Sequence, residues 1–108
     1  MNNPYKATFS PAIVSKIDKL KFIERVNYHH HVDVLEVSRI RYICYARQLS
    51  MYVLFKHAGI GYTEIGRIFG KRHSTVIHAV KLIDNLKDVD KNVTQHIQDF
   101  EDIYFNKI

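Results

Sequence analysis

Tryptophan is absent from this chain, cysteine occurs once, proline twice and glycine four times. Each scarcity closes off a class of structure. The single Cys44 cannot form an internal disulfide, and its place in the apolar run "YICYA" reads as a buried, reduced thiol in a cytosolic protein. With so little glycine and proline there is no linker to divide domains, and no repeat or low-complexity tract is present. No run reaches the roughly 18 uncharged apolar residues of a membrane span. The start "MNNPYKATFS" lacks a signal peptide's apolar centre. Strand-like alternation of useful length is missing too. What remains is 108 residues, 46% hydrophobic and 25% charged, which suits one globular domain built from helices.

Charge is divided unevenly along the chain. The net value is +5, but residues 39–81 alone carry +7: Arg39, Arg41, Arg47, Lys56, Arg67, Lys71, Arg72 and Lys81 stand against Glu64. Residues 1–38 carry +1 and residues 82–108 carry −3. Such segregation builds one positive surface, the kind that suits a polyanion. A basic face that merely keeps the protein in solution is the plainer alternative. Against it, every cation of the group except Lys56 falls near one bend in the chain or near the helix expected to support that bend.

Ser10 and Pro11 form a good helix start, cap and first turn, for a helix over about 11–28 striped by Ile13, Ile17, Leu20 and Ile23. The "HHHVD" region reads as a turn before a short helix over 32–36. A long helix, about 40–57, is closed by Gly59. It is apolar almost all round (Ile43, Cys44, Ala46, Leu49, Met51, Val53, Leu54), as a central bundle helix must be, so its polar members Arg41, Arg47 and Gln48 stand out. Helices over 62–69, 73–87 and 91–106 complete an all-α bundle of about six helices. Asp90 is the expected cap of the last one, and Val93, Ile97, Phe100 and Tyr104 are its stripe.

The bend lies in "YTEIGRIFGKRHSTVIHAVKLI", Tyr62 to Ile83. Gly66, Gly70 and Val76 fit a helix-turn-helix: a small residue where two helices cross, a glycine at the turn, an apolar anchor on the second helix. Ile65, Phe69, Val76, Ala79, Val80 and Ile83 supply the shared core. On the second helix Ser74, His78, Lys81 and Asn85 form one outward polar face, and Arg72, His73, Ser74 and Thr75 occupy its first turn. In such motifs the start of the second helix enters the major groove, where hydrogen-bonding side chains read base edges. Helix-turn-helix pairs also occur in proteins that never touch DNA, where His-Ser-Thr would simply cap a helix.

The stretch "ARQLSMYVLFKHAGIGYTEIGRIFGKRHSTVIHAVKLI" resembles the C-terminal DNA-binding domain of the bacterial replication initiator DnaA. That family shows an Ala/Pro-Arg-Gln helix, then Glu-Leu/Ile-Gly-x-x-Phe-Gly, then a basic-Asp-His-Ser/Thr-Thr-Val-x-His-Ala segment. "VDVLEVSRIR" is similar to its short helix and basic loop, and "VDKNVTQHIQDFEDI" to its closing helix, so the likeness covers about residues 20–105. The resemblance implies a stand-alone reader of double-stranded DNA in replication or transcription control, bacterial or from a mobile element, nucleoid-associated in the cytoplasm. It further implies that Arg47 reaches into the minor groove and that Arg72, His73, Ser74 and Thr75 are base readers. Arg39, Arg41, Gln48, Lys71, His78 and Lys81 match phosphate-binding positions.

Two departures qualify the match. Where the family has Asp before His, this chain has Arg72, or else has lost a residue from the turn. Arg can only donate, to guanine N7/O6 or to phosphate, so the preferred DNA site is expected to differ there. The chain also has no G-x-x-x-x-G-K-[ST] phosphate loop, so no ATPase and no bound nucleotide are expected.

Catalysis, metal and cofactor find no support. His29-His30-His31 lacks a convergent further ligand, and His73 and His78 fall on different helical faces. Ser74 beside His73 has no orienting carboxylate. Tyr42, Tyr45 and Tyr52 could stack on bases, but at helical spacing they read as core or rim. The expected mode is a monomer on an asymmetric duplex site, with no membrane contact. The rival is a protein-interaction module that binds a replication partner through the N-terminal helix and the acidic C-terminal segment.

Overall fold

Apolar residues spaced three and four apart commit most of this chain to helices. The computed structural model describes residues 11–107, with side chains from residue 19 onward. It contains α1 (Pro11–His30), α2 (Arg41–His57), α3 (Tyr62–Phe69), α4 (His73–Leu86) and α5 (Lys91–Tyr104), with no strand among the described residues. The all-α class holds, with five helices in place of about six. Ser10 and the side chains of Ile13 and Ile17 lie outside the described residues.

The helix expected over 32–36 is a turn. Its backbone groups find partners that a helix would not use: Val34 N–H donates to Asn27 Oδ1 at 2.9 Å, and Leu35 N–H to Asp33 Oδ1 at 3.0 Å. Short Asn and Asp side chains compete with helical bonding in this way. The carbonyls of Val34 and Glu36 in turn accept from Arg47.

Helix α2 is the axis of the bundle. Leu49 through Leu54 are buried without interruption, together with Ala46 and Arg47, so neighbours must cover every side. Those neighbours are α1, α3, α4 and α5. Gly59, at φ 67°, follows the Ala58 cap and closes the helix as expected. Asp90 caps α5 by accepting from Asn92 N–H at 2.9 Å, and Val93, Ile97, Phe100 and Ile103 turn inward from it.

Among the described side chains of α1, from residue 19 onward, the buried ones are Lys19, Phe22, Ile23 and Val26, whereas Leu20, expected in the stripe, is 44% exposed. The inward face thus keeps Ile23 from the expected stripe and takes Lys19 in place of Leu20. Lys19 belongs to it because its aliphatic stem is buried while its ammonium meets Glu64 Oε1 at 3.0 Å. Cys44 is only half-buried, and its Sγ donates to the Ser38 carbonyl at 3.3 Å. Among the three tyrosines, Tyr52 is core, Tyr45 pairs with His96 Nδ1 at 2.8 Å, and the exposed Tyr42 donates to the His30 carbonyl at 3.2 Å.

The C-terminal end of α1 docks through His30, which stacks on Phe100 with ring centroids 4.7 Å apart. Burial lowers the His30 pKa from its ordinary 6.5; Asp99 opposes that shift, and His29, His96 and His31 add to it. A histidine depressed in this way stabilises the fold above pH 6.5 and loses that contribution as pH falls toward its folded value. Urea midpoints should therefore drop more between pH 7.5 and pH 5 in the parent than in His30→Gln; equal drops would remove His30 as the cause.

Candidate nucleic-acid interface

The bend is built around Gly66. A Cβ placed there would overlap the Lys71 carbonyl oxygen, with the backbone of Arg72 and His73 already at contact distance, so α3 crosses the chain entering α4 at a distance only glycine permits. Gly70 sits at φ 67° and ψ 35°, and Lys71 N–H donates to the Gly66 carbonyl at 2.8 Å. This left-handed stop ends α3 and turns the chain within three residues. Ile65, Phe69, Val76, Ala79, Val80 and Ile83, the six residues expected to weld the two helices, are all buried.

That weld leaves the opposite face of α4 in solvent. Ser74, His78, Lys81 and Asn85 are exposed along it, and Arg72, His73, Ser74 and Thr75 are all exposed at its first turn. Arg72 is the N-cap residue, yet no side chain caps the helix; the cap bonds are backbone ones, from Thr75 and Val76 N–H to the Arg72 carbonyl at 3.0 and 3.3 Å. The positive end of the helix dipole therefore opens to solvent beside a guanidinium group. His73, Ser74 and Thr75 do not serve as caps, and among the described residues their side chains have no hydrogen-bond partner.

The electrostatics are one-sided. Among the described residues the ion pairs are Lys19–Glu64, His57–Glu101, and Lys87 with Asp84 and Asp88. Arg39, Arg41, Arg67, Lys71, Arg72 and Lys81 take part in none of them. All six are exposed except the half-buried Lys71. Glu64, the one carboxylate of residues 39–81, is occupied by Lys19.

The expected site residues separate into three places. Arg72, His73, Ser74, Thr75, His78 and Lys81 share the exposed face and first turn of α4, with Lys71 in the turn before it. Arg39 and Arg41 stand exposed where the chain enters α2, and Gln48 is half-buried on α2. Arg47 stands apart from both groups. It is 7% exposed, and its Nε and Nη2 donate to the carbonyls of Val34 at 2.9 Å and Glu36 at 2.5 Å. A side chain spent on two backbone carbonyls is not extended toward a groove. Arg47 instead fastens the segment that carries Arg39. Arg67, exposed on the last turn of α3, lies outside the expected site residues; only its place in the basic segment marks it.

No three His, Cys, Asp or Glu side chains converge as metal ligands would among the described residues. No helix among them is long and apolar enough to cross a membrane.

Residues 23–83, more than half of the chain, match the family model described as bacterial dnaA protein helix-turn-helix. The chain belongs to that family. The chromosomal replication initiator protein DnaA of Tropheryma whipplei (strain Twist) is 34% identical over 92 residues, which is 82% of this chain and 18% of that protein. The protein of the same name from Bdellovibrio bacteriovorus is 32% identical over 91 residues, 81% of this chain and 19% of the relative. That of Kosmotoga olearia is 48% identical over 52 residues, 48% of this chain and 12% of the relative. The chain thus spans under a fifth of the length of these DnaA proteins.

Proposed function

We propose that this DnaA-type helix-turn-helix binds double-stranded DNA sequence-specifically, as a monomer on an asymmetric site, in the control of replication initiation or of transcription. The observation that carries the reading is the first turn of α4: uncapped by any side chain, exposed, and lined by hydrogen-bonding groups that the described protein leaves unused. Arg72, His73, Ser74 and Thr75 read base edges in the major groove. Lys71, His78 and Lys81 hold phosphates along the same helix, and Arg39 and Arg41 hold them from the entry to α2. Gln48 is a phosphate contact at the edge of this set. Membership of the DnaA helix-turn-helix family supports the same assignment.

Arg72 gives the site its own preference. At a helix start it offers a bidentate donor to guanine, where an acidic residue would accept from an amino group.

The test is selection of bound sequences from a random duplex pool, followed by titration of the winning site at several salt concentrations. Affinity should fall steeply with salt. Lys81→Ala should weaken all duplexes alike and flatten the salt dependence by about one unit of slope. His73→Ala should cost about 1–3 kcal/mol at one base position and relax choice there. Affinity indifferent to salt, with no sequence enriched by selection, would hand the case to a protein-interaction role.

A further inference from the structure

The segment between α1 and α2 has a feature that charge leaves unexplained. Val37 is 95% exposed and Ile40 61% exposed, and Tyr42, also exposed, follows them. Single exposed apolar side chains are ordinary. Here they alternate with Arg39 and Arg41, on a segment that the fold has made rigid.

That rigidity comes from five hydrogen bonds. Arg47 grips the carbonyls of Val34 and Glu36 from below. Ile40 N–H donates to Ser38 Oγ at 3.1 Å, and the Cys44 thiol donates to the Ser38 carbonyl at 3.3 Å. Cys44 N–H donates to the Ile40 carbonyl at 3.0 Å, which makes Ile40 the N-cap residue of α2. A segment held in this way gives up little further conformational freedom on binding.

Resting on the DNA reading above, we infer that Val37 and Ile40 form the apolar half of a DNA contact whose ionic half is Arg39 and Arg41. Their methyl groups pack on deoxyribose and base-edge carbons while the two guanidinium groups hold the flanking phosphates. Charge favours DNA as the occupant. Neither arginine has an acidic partner among the described residues, and the segment opens the stretch that carries +7. Glu36, exposed with its backbone held by Arg47, marks the end of the contact, because a carboxylate there repels phosphate. An apolar contact has a signature that an ionic one lacks. It adds affinity without displacing counterions, so it leaves the salt slope alone, and it makes the heat capacity of binding more negative.

The experiment compares the parent with Val37→Ser/Ile40→Ser on the duplex selected by the parent and on random duplex, from about 50 to about 200 mM salt. The double variant should bind the selected site roughly tenfold more weakly at every salt, with an unchanged slope and a less negative heat capacity change. Random duplex, held by charge, should show little loss. Both side chains face solvent and Ser is a favoured N-cap, so the variant should fold. Should its thermal midpoint drop, the shape-conserving Val37→Thr supplies the same comparison. Parallel lines of equal affinity would overturn the apolar contact and leave the DNA reading standing, as would a loss that appears only as a changed slope. A parent with no salt dependence at all would instead defeat the DNA reading itself.

Discussion

Replacing Arg47 by alanine is expected to lower stability by about 2–4 kcal/mol and to weaken binding to every duplex alike. The side chain makes two charge-assisted bonds to backbone carbonyls, the one to Val34 buried, and each such bond contributes about 1.5–3 kcal/mol net. Alanine would leave those carbonyls unpaired and a cavity beneath the 34–36 turn. The turn leads directly to Arg39 and Arg41, so its loosening should reach DNA affinity through them. A groove-reading arginine would behave in the opposite way: truncation would erase choice at one base pair and leave the melting temperature alone. Arg47→Lys separates packing from geometry. Its stem fills the same space, but one ammonium cannot reproduce a planar fork aimed at two carbonyls, so only part of the stability should return. Urea denaturation combined with binding to a panel of site variants reads both effects. Loss at a single base position with the urea midpoint unchanged would return Arg47 to the groove.

A comparably large effect is expected at Gly66. Helix propensity alone says that Gly66→Ala within α3 should stabilise by about 1 kcal/mol. The crossing says otherwise, because the new methyl would meet backbone, which cannot rotate away as a side chain would. We expect a net loss of about 2–4 kcal/mol, with the angle between α3 and α4 opening and specific DNA binding falling with it. Gly70→Ala is the control. Nothing lies within 4 Å of its missing Cβ, so its cost comes only from the left-handed backbone, about 1–2 kcal/mol. Denaturation midpoints should therefore rank parent, Gly70→Ala, Gly66→Ala. A stabilised Gly66→Ala protein would mean that the helices do not cross this tightly.

The parts of the molecule that could be read from the sequence are those decided within one or two turns. The α3–α4 weld follows from residues at helical spacing on both sides of one glycine turn, and all six of its members are buried as expected. The polar face of α4 is the complement of that stripe, so it could be read as well. Illegibility begins where partners are distant. Asp33 takes an amide group of its own segment, but nothing within 32–36 announces that Asn27 will take another and Arg47 two of its carbonyls. The segment therefore reads as a helix until those side chains are placed. The surroundings of Arg47 held a hint, since it lies between Ala46 and Leu49 on a helix apolar almost all round. An arginine there has to be buried and bonded. On α1 a stripe starting from Ile13 selected Leu20, one position from the true inward face, because Lys19 is a core residue only by virtue of Glu64.

That last pair has an electrical side. A lysine 3% exposed needs its partner, but the partner gains as much. Left bare, Glu64 would be an uncompensated negative charge on α3, and, if the proposed DNA contact holds, a spot of repulsion beside it. Helix α1 thus supplies α3 with a resident counterion, and shortening it would remove packing and unmask a negative charge in the same stroke.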